Sequence, residues 1–343
     1  MRAAGAAILA GLLVVAAAPA LSANATVTLR GAGATFPAPL YERWIQAFRK
    51  AEPGVAITYD VVGSGEGARR FIANAVDFGA SDAALSDEQI ARVTPGARLV
   101  PVTAGIVVLA YNVPGLERPL KLPRSVVADI FAGRIRMWND PRLAAANPGV
   151  SLPAHTIAVV ARQDGSGTTF ALTNHLSAVS ADWRDRGPGI GTLVDWGGRA
   201  MLARGNEGVA GRIKGSHDAI GYVEYHFAKK LKLSMAAVAN KAGRYVEPSE
   251  RSGEAALAAN VGRMPANLRL FIPDPDGDDA YPIVSLSWLL VYESYWEREK
   301  SAALRRFLVW ALTEGQSLSR EMGYIPLPPE VASRSLAAVD QIH

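Results

Sequence analysis

The chain has 343 residues, of which 49% are hydrophobic and 20% are charged. This length and balance predict a folded protein of about two domains, and they exclude an isolated motif or a mostly disordered chain. Lys and Arg outnumber Asp and Glu by only 36 to 32, so nucleic-acid binding is not expected. The absence of cysteine excludes disulfides, thiolate metal sites and cysteine nucleophiles. We expect no metal and no cofactor.

The first 25 residues have the pattern of a secretory signal. Arg2 is followed by an apolar run from Ala3 to Ala18, and Ala23-Asn24-Ala25 provides an A-x-A cleavage site. We therefore predict cleavage after Ala25 and a soluble protein exported to a bacterial periplasm. An uncleaved membrane anchor is the alternative, but the apolar run is short for a span.

Strand, turn and helix patterns alternate along the rest of the chain. Residues 27–29 predict a strand, and Leu40, Trp44 and Phe48 then follow one another at helical spacing. The same order recurs, with glycine-rich turns predicted at 31–36, 63–67 and 164–167. This alternation predicts an α/β architecture with mainly parallel sheets.

Later patterns complete this outline. Residues 106–111 and 283–292 predict two more strands, and residues 301–312 an amphipathic helix that Gly315 ends. The seven tryptophans are interpreted as packing residues. Since no flexible Gly/Ser linker separates the halves, we expect two lobes joined by short hinges, with lobe I at 26–101 and 281–343 and lobe II at 102–280.

Three glycine-rich turns share one chemistry. Each carries Ser or Thr directly before or within the first turn of a predicted helix: Thr35 with Phe36, Ser64, and Ser166 with Gly167 and Thr168. Each turn alone is more typical of ordinary helix capping, but three together, with free N–H groups at helix starts and hydroxyl donors, favour an oxyanion. Neither phosphate-loop signature is present, which argues against a nucleotide ligand.

Four longer strings resemble the periplasmic phosphate-binding proteins of the high-affinity phosphate ABC importer. They lie at residues 31–39 (GAGATFPAP), 74–82 (NAVDFGASD), 164–168 (DGSGT) and 219–225 (AIGYVEY). The resemblance implies a two-lobed periplasmic-binding-protein fold of type II, with a mainly parallel sheet flanked by helices in each lobe and the ligand in the interlobe cleft. It also implies a monomer that binds inorganic phosphate and delivers it to membrane permease subunits, without enzymatic activity.

The resemblance implies a set of ligand-binding residues. Asp82 would accept a hydrogen bond from the ligand, Arg162 would be the one cation of the site, and Asp164 would orient its guanidinium. The remaining residues would supply backbone or hydroxyl donors: Thr35, Phe36, Ser64, Ser166, Gly167 and Thr168.

The carboxylate of Asp82 would determine selectivity. A carboxylate beside an anion is repulsive unless the ligand brings a proton to share, as phosphate does near neutral pH and sulfate does not. Sulfate would face an acceptor that it cannot satisfy. Arsenate, which is also protonated, would largely escape this discrimination.

Two alternatives stay open at this point. A receptor for another tetrahedral oxyanion, such as sulfate or molybdate, would use the same donor cage. A secreted phosphatase has less support, because the five histidines form no metal-ligand pair and Ser166 lacks the G-x-S-x-G spacing of a nucleophile elbow.

Two features depart from the family pattern. Gly65 replaces a second serine, and Glu66 places a negative charge beside Ser64, so a reduced affinity is expected. Residues 193–204 also differ from the glycine- and lysine-rich run of the family.

Overall fold

The computed structural model describes residues 26–116 and 118–343. The predicted signal segment, residues 1–25, lies outside the described residues. Within the described residues, no helix combines the length and the apolar character that crossing a bilayer requires.

Strands alternate with helices along the chain, as the α/β prediction requires. The strands that carry the core are almost fully buried on both faces, which is typical of sheets covered by helices. The strands are β1 (Val27–Gly33), β2 (Val55–Val61), β3 (Phe78–Ser81), β4 (Ala97–Asn112), β5 (Lys121–Leu122), β6 (Ala158–Arg162), β7 (Met201–Ala203), β8 (Ala219–Glu224), β9 (Ser234–Met235), β10 (Ala237–Ala239), β11 (Tyr245–Val246) and β12 (Val284–Tyr292).

The helices flank the strands, and several begin at a side chain that caps them. Ser166, for example, accepts a hydrogen bond of 3.1 Å from the Thr169 N–H. The helices are α1 (Ala38–Ala51), α2 (Ser64–Ile72), α3 (Asp87–Ile90), α4 (Arg124–Phe131), α5 (Pro141–Ala146), α6 (Gly167–Val179), α7 (Ala181–Arg186), α8 (Gly205–Lys214), α9 (Tyr225–Lys230), α10 (Glu250–Ala258), α11 (Arg298–Leu312), α12 (Gly315–Glu321) and α13 (Pro329–Val339).

Each lobe is built on a group of parallel strands. In the first lobe β1 pairs in parallel with β2 and β3, and in the second lobe β6 pairs in parallel with β7 and β8. The antiparallel strands β12 and β4 join the two groups, giving the order β2-β1-β3-β12-β4-β8-β6-β7. The parallel groups agree with the prediction, whereas the antiparallel connection between them was not predicted.

Strand β4 belongs to both lobes. Its 16 residues pair with β12 as far as Ile106 and with β8 from Val107 onward. Strands β1 and β3 of the first lobe and β6 of the second therefore direct their carboxyl ends toward the region between the lobes. In α/β folds ligands bind beyond these ends.

Two of the predicted turns are partly regular structure. Gly31 and Gly33 lie within β1, where a Cβ at Gly31 would come within 2.1 Å of the Phe78 ring and one at Gly33 within 2.0 Å of the Ala80 carbonyl oxygen. Helix α2 begins at Ser64, so only Gly63 of the predicted turn at 63–67 lies outside the helix. Its positive φ of 94° is a backbone conformation that glycine adopts readily. These glycines serve close packing as much as turning.

Two further sequence predictions are wrong. Gly315 begins α12 instead of ending the preceding helix, and its carbonyl accepts a 2.7 Å hydrogen bond from the Trp44 indole N–H. Trp296 is fully exposed, because it lies in the loop between β12 and α11 with no neighbouring element over it. Four other tryptophans are completely buried, as expected: Trp44, Trp138, Trp183 and Trp288.

Candidate functional site

The predicted ligand-binding residues come from both lobes and meet at the cleft. In the first lobe Thr35 follows β1, Ser64 begins α2 and Asp82 follows β3. In the second lobe Arg162 ends β6 and Ser166 caps α6. All five side chains are buried, with at most 6% of any of these residues exposed. The fold therefore encloses them together.

The two lobes are in direct contact at this point. The Gly65 N–H donates a 2.9 Å hydrogen bond to the Gly165 carbonyl across the cleft. A Cβ at Gly167 of the second lobe would lie 2.6 Å from Asp82 Oδ2 and 2.7 Å from Ser64 Oγ of the first. The structure is therefore the closed form of a two-lobed protein, and glycine at 167 is what permits this approach.

Asp82 is the acidic group at the centre of the site. Its Oδ1 accepts a 2.7 Å hydrogen bond from the Ser287 hydroxyl, and its Oδ2 lies 3.3 Å from the Ser64 hydroxyl. Complete burial raises the pKa of Asp82 to about 7, against the opposing effects of the Ser287 hydrogen bond and the Arg162 charge. Near neutral pH this carboxyl group can both accept and hold a proton.

Arg162 is the buried cation. Its Nε donates to Asp164 Oδ1 at 2.9 Å, and its Nη2 donates to Asp164 Oδ2. Its Nη1 lies 3.4 Å from the Thr168 hydroxyl. Partial burial opposes ionisation of Asp164, but hydrogen bonds and charge from Arg162 outweigh it and lower the pKa of Asp164. The pair thus fixes the guanidinium in a planar two-point contact.

Backbone donors complete the arrangement. Among the described residues, the N–H groups of Phe36, Gly167 and Thr168 have no hydrogen-bond partner, which suits them to an anion. The Ser166 N–H differs, since it donates to the Thr192 carbonyl at 2.8 Å. Only the hydroxyl hydrogen of Ser166 is available, because its oxygen already accepts from the helix that it caps.

The sequence did not single out two residues that organise the site. Ser287, in the middle of β12, binds Asp82, and no local pattern in that apolar strand indicates it. Asn206, in the first turn of α8, links Thr35 to Thr168. The glycine-rich string at residues 205–210 was a usable signal for Asn206, since it again places a polar residue at a helix start.

A second buried carboxyl group lies near Asp82. Glu224 is fully buried and its Oε2 accepts a 3.0 Å hydrogen bond from the His226 N–H. Burial, together with the charge of Asp82, raises the pKa of Glu224 well above its usual value. Burial therefore favours the uncharged form of Glu224.

Glu66 is neutralised by its own helix. Its carboxylate binds the guanidinium groups of Arg69 at 2.6 Å and Arg70 at 2.8 Å. These hydrogen bonds lower the pKa of Glu66 to about 2. The reduced affinity expected from Glu66 stays a prediction, but its negative charge is balanced by two arginines.

Comparison with known proteins agrees with this architecture. A family model described as the PBP superfamily domain matches residues 18–314. A phosphate-bound solved structure of a high-affinity periplasmic phosphate-binding protein, PfluDING, superposes with a TM-score of 0.73 at 20% identity, covering 91% of this chain and 93% of that one. A phosphate-binding protein from Stenotrophomonas maltophilia gives 0.71 at 21% identity, covering 91% and 94%. The fold is thus the two-lobed fold of periplasmic binding proteins.

Relatives at higher identity define the family within this superfamily. The chain is 38% identical over 308 residues to the phosphate-binding protein PstS of Pasteurella multocida, covering 90% of this chain and 88% of the relative. It is 36% identical over 339 residues to PstS of Methanocaldococcus jannaschii, covering 92% and 87%. The chain belongs to the PstS family of phosphate-binding proteins.

Proposed function

We propose that this protein binds inorganic phosphate between its two lobes and delivers it to the permease subunits of an ABC importer. The observation that carries this proposal is a closed cleft lined by hydrogen-bond donors around one buried acceptor, Asp82. Membership of the PstS family and the names of the relatives support the same ligand. Neither the family membership nor the names of the relatives favour a receptor for sulfate or molybdate.

The donors would surround the anion from both sides. Arg162 supplies a positive charge that Asp164 orients, and the unpartnered N–H groups at the start of α6 add partial positive charge. Charge-assisted hydrogen bonds of this kind are roughly twice as strong as neutral ones. The residues proposed to contact phosphate are Thr35, Phe36, Ser64, Asp82, Arg162, Ser166, Gly167 and Thr168.

Asp82 would distinguish phosphate from sulfate. A carboxylate held by Ser287 on one oxygen keeps its other oxygen toward Ser64 and the cleft. A ligand that carries a proton can donate to this oxygen, whereas a fully deprotonated ligand would face it with like charge. Because leaving a buried acceptor without a partner costs about 1–3 kcal/mol, we expect discrimination against sulfate on at least that scale.

The chemistry needed is binding without bond breaking. Contacts from both lobes favour the closed form in proportion to the ligand's extra affinity for it. Release would require only that the permease favours the open form. The relatives are named as binding proteins, which agrees with a non-enzymatic role.

Several parts of this proposal concern the whole protein. Relatives of the PstS family support a periplasmic location, and the signal segment with cleavage after Ala25 fits it. We propose a monomer with lobe I at 26–101 and 281–343 and lobe II at 102–280. The pairing of β4 with β12 and then with β8 supports a crossing between lobes within β4.

Calorimetric titration tests the proposal. Protein expressed without residues 1–25, unfolded and refolded to remove bound anion, is titrated with phosphate, sulfate and molybdate in separate runs. We expect tight binding of one phosphate per chain and no heat from sulfate. Binding of sulfate or molybdate in place of phosphate would contradict the proposal and, with it, the role of Asp82.

A further inference from the structure

Asn206 connects the two lobes through a single side chain. It belongs to α8 of the second lobe and is completely buried. Its Nδ2 lies 2.9 Å from Thr35 Oγ1 of the first lobe and 3.0 Å from Thr168 Oγ1 of the second, and its backbone N–H also donates to Thr35 Oγ1 at 3.2 Å. Its Oδ1 lies 2.9 Å from the Glu224 backbone nitrogen.

The Glu224 contact fixes which way the amide points. A backbone N–H can only donate, so the atom of Asn206 that faces it must be the carbonyl oxygen. The NH2 group then faces both threonines, and its two hydrogens donate to Thr35 and Thr168, one to each. The reversed amide would place two donors against each other at 2.9 Å.

This orientation determines what the two hydroxyl groups can do. Thr35 Oγ1 accepts two N–H bonds from Asn206, and Thr168 Oγ1 accepts one from Asn206 and a longer one from Arg162. With their oxygens so occupied, the hydroxyl hydrogens must point elsewhere. Among the described residues, the Thr168 hydroxyl donates only to Asn206 Oδ1, and at 3.5 Å this contact is at the outer limit of a hydrogen bond.

We propose that Asn206 is a positioning residue that makes Thr35 and Thr168 donate to the bound anion when the lobes close. The inference rests on the proposed phosphate site. Since Asn206 and Thr35 belong to different lobes, their hydrogen bonds exist only in the closed form. Closure therefore converts Thr35 from a freely rotating hydroxyl group into an oriented donor, which leaves Asp82 as the acceptor for a ligand proton.

A double-mutant cycle on phosphate affinity tests this role. Thr35→Val removes the hydroxyl at nearly constant volume and should weaken binding by roughly tenfold to a hundredfold, the range for a hydrogen bond to a charged group. Asn206→Asp keeps an acceptor for the Glu224 N–H but offers Thr35 a carboxylate oxygen, which would draw its hydroxyl away from the ligand. In that background Thr35→Val should change affinity by less than about threefold.

The cycle separates this role from a merely structural one. The added charge of Asn206→Asp lowers phosphate affinity by itself, so each Thr35→Val penalty is measured within one background. Thr35→Val also removes the bonds by which Asn206 would hold the lobes together, so a second cycle uses Thr168→Val, whose bond to Asn206 lies within the second lobe. If Asn206 only holds the lobes together, Thr168→Val keeps its full penalty in both backgrounds, which overturns the inference. Thr35→Ser, which keeps the hydroxyl, should bind phosphate like the unmodified protein.

A matched control and a second variant complete the test. Asn240, also fully buried in the second lobe, binds the Arg244 N–H and the Gly277 carbonyl, so Asn240→Asp should leave the Thr35→Val penalty unchanged. Should Asn206→Asp not fold, Asn206→Ala goes through the same cycle and must reduce the penalty at least threefold. If the unmodified protein does not bind phosphate, the proposed function is overturned as well. If it binds phosphate normally and the effects of the two substitutions simply add, only the role of Asn206 is overturned.

Discussion

Gly167→Ala tests whether the lobes meet around the ligand as the structure shows. The added methyl group would lie 2.5 Å from Asp82 Cβ, 2.6 Å from Asp82 Oδ2 and 2.7 Å from Ser64 Oγ, all far inside normal contact distances. None of these atoms belongs to a flexible side-chain end, since Ser64 and Asp82 are buried and hydrogen-bonded. The closed form must therefore open slightly to accept the methyl group.

The magnitude follows from the cost of overpacking. Added methyl groups in tightly packed regions cost about 1–3 kcal/mol. At about 1.4 kcal/mol per tenfold change, phosphate affinity should fall by roughly fivefold to a hundredfold. Unfolding temperature without ligand should hardly change, because the open form relieves the contact and alanine is well tolerated in the first turn of a helix.

Calorimetry and small-angle X-ray scattering measure the two consequences. Phosphate should reduce the radius of gyration of the unmodified protein but not, or to a lesser extent, that of Gly167→Ala. Gly211→Ala is the matched control, because this glycine also lies in a second-lobe helix but its added methyl group would have no neighbouring atom within 4 Å. Normal affinity and normal compaction in Gly167→Ala would refute the closed arrangement as the ligand-bound form.

Four further outcomes are expected. Asp82→Asn should bind sulfate measurably in calorimetry, since an amide can donate to a deprotonated oxygen; continued exclusion of sulfate would show that another group discriminates. Burial raises the pKa of Asp82 from the usual 3.8 to about 7. The protonated form of Asp82 therefore contributes to the stability of the folded protein below pH 4, and this contribution is lost as the pH rises to about 7. Without ligand, Asp82→Asn should therefore be more stable than the unmodified protein at pH 8 and no more stable at pH 4. At about 1.4 kcal/mol per pKa unit, the difference in the free energy of unfolding at pH 8 is up to roughly 4 kcal/mol. Thermal unfolding at the two pH values measures it. Arg162→Ala should remove a charge-assisted hydrogen bond worth about 1.5–3 kcal/mol and so weaken phosphate binding by at least roughly tenfold to a hundredfold. Adding Asp164→Asn to that variant should recover part of the loss, because it removes a negative charge that has lost its partner. An unchanged Kd in Arg162→Ala would contradict the site. Gly31→Ala should lower the free energy of unfolding by about 1–3 kcal/mol, because its Cβ would lie 2.1 Å from an aromatic ring, whereas Gly54→Ala, with open space around it, should not.

The sequence by itself determined the features that depend on neighbouring residues. Alternating apolar runs and glycine-rich turns indicated the α/β class, and the order strand, Ser or Thr, helix located Thr35, Ser64 and Ser166. Ser166 is encoded locally, since its side chain caps α6 by accepting from the Thr169 N–H. Thr35 and Ser64 stand near helix starts without capping them, and their hydroxyl groups contact Asn206 and Asp82 instead. The string around Asp82 likewise placed this carboxyl group at the end of a strand.

Only the tertiary structure decided how these parts meet. Ser287 binds Asp82 from 205 residues away, and Asn206 reaches Thr35 from 171 residues away. Strand β4, whose pattern indicated one short strand, pairs with β12 and then with β8 and so joins both lobes. The sequence could not show these contacts because hydrophobic periodicity reports which face of a strand or helix is buried, while the partner on that face is set by chain topology and by packing of the whole core.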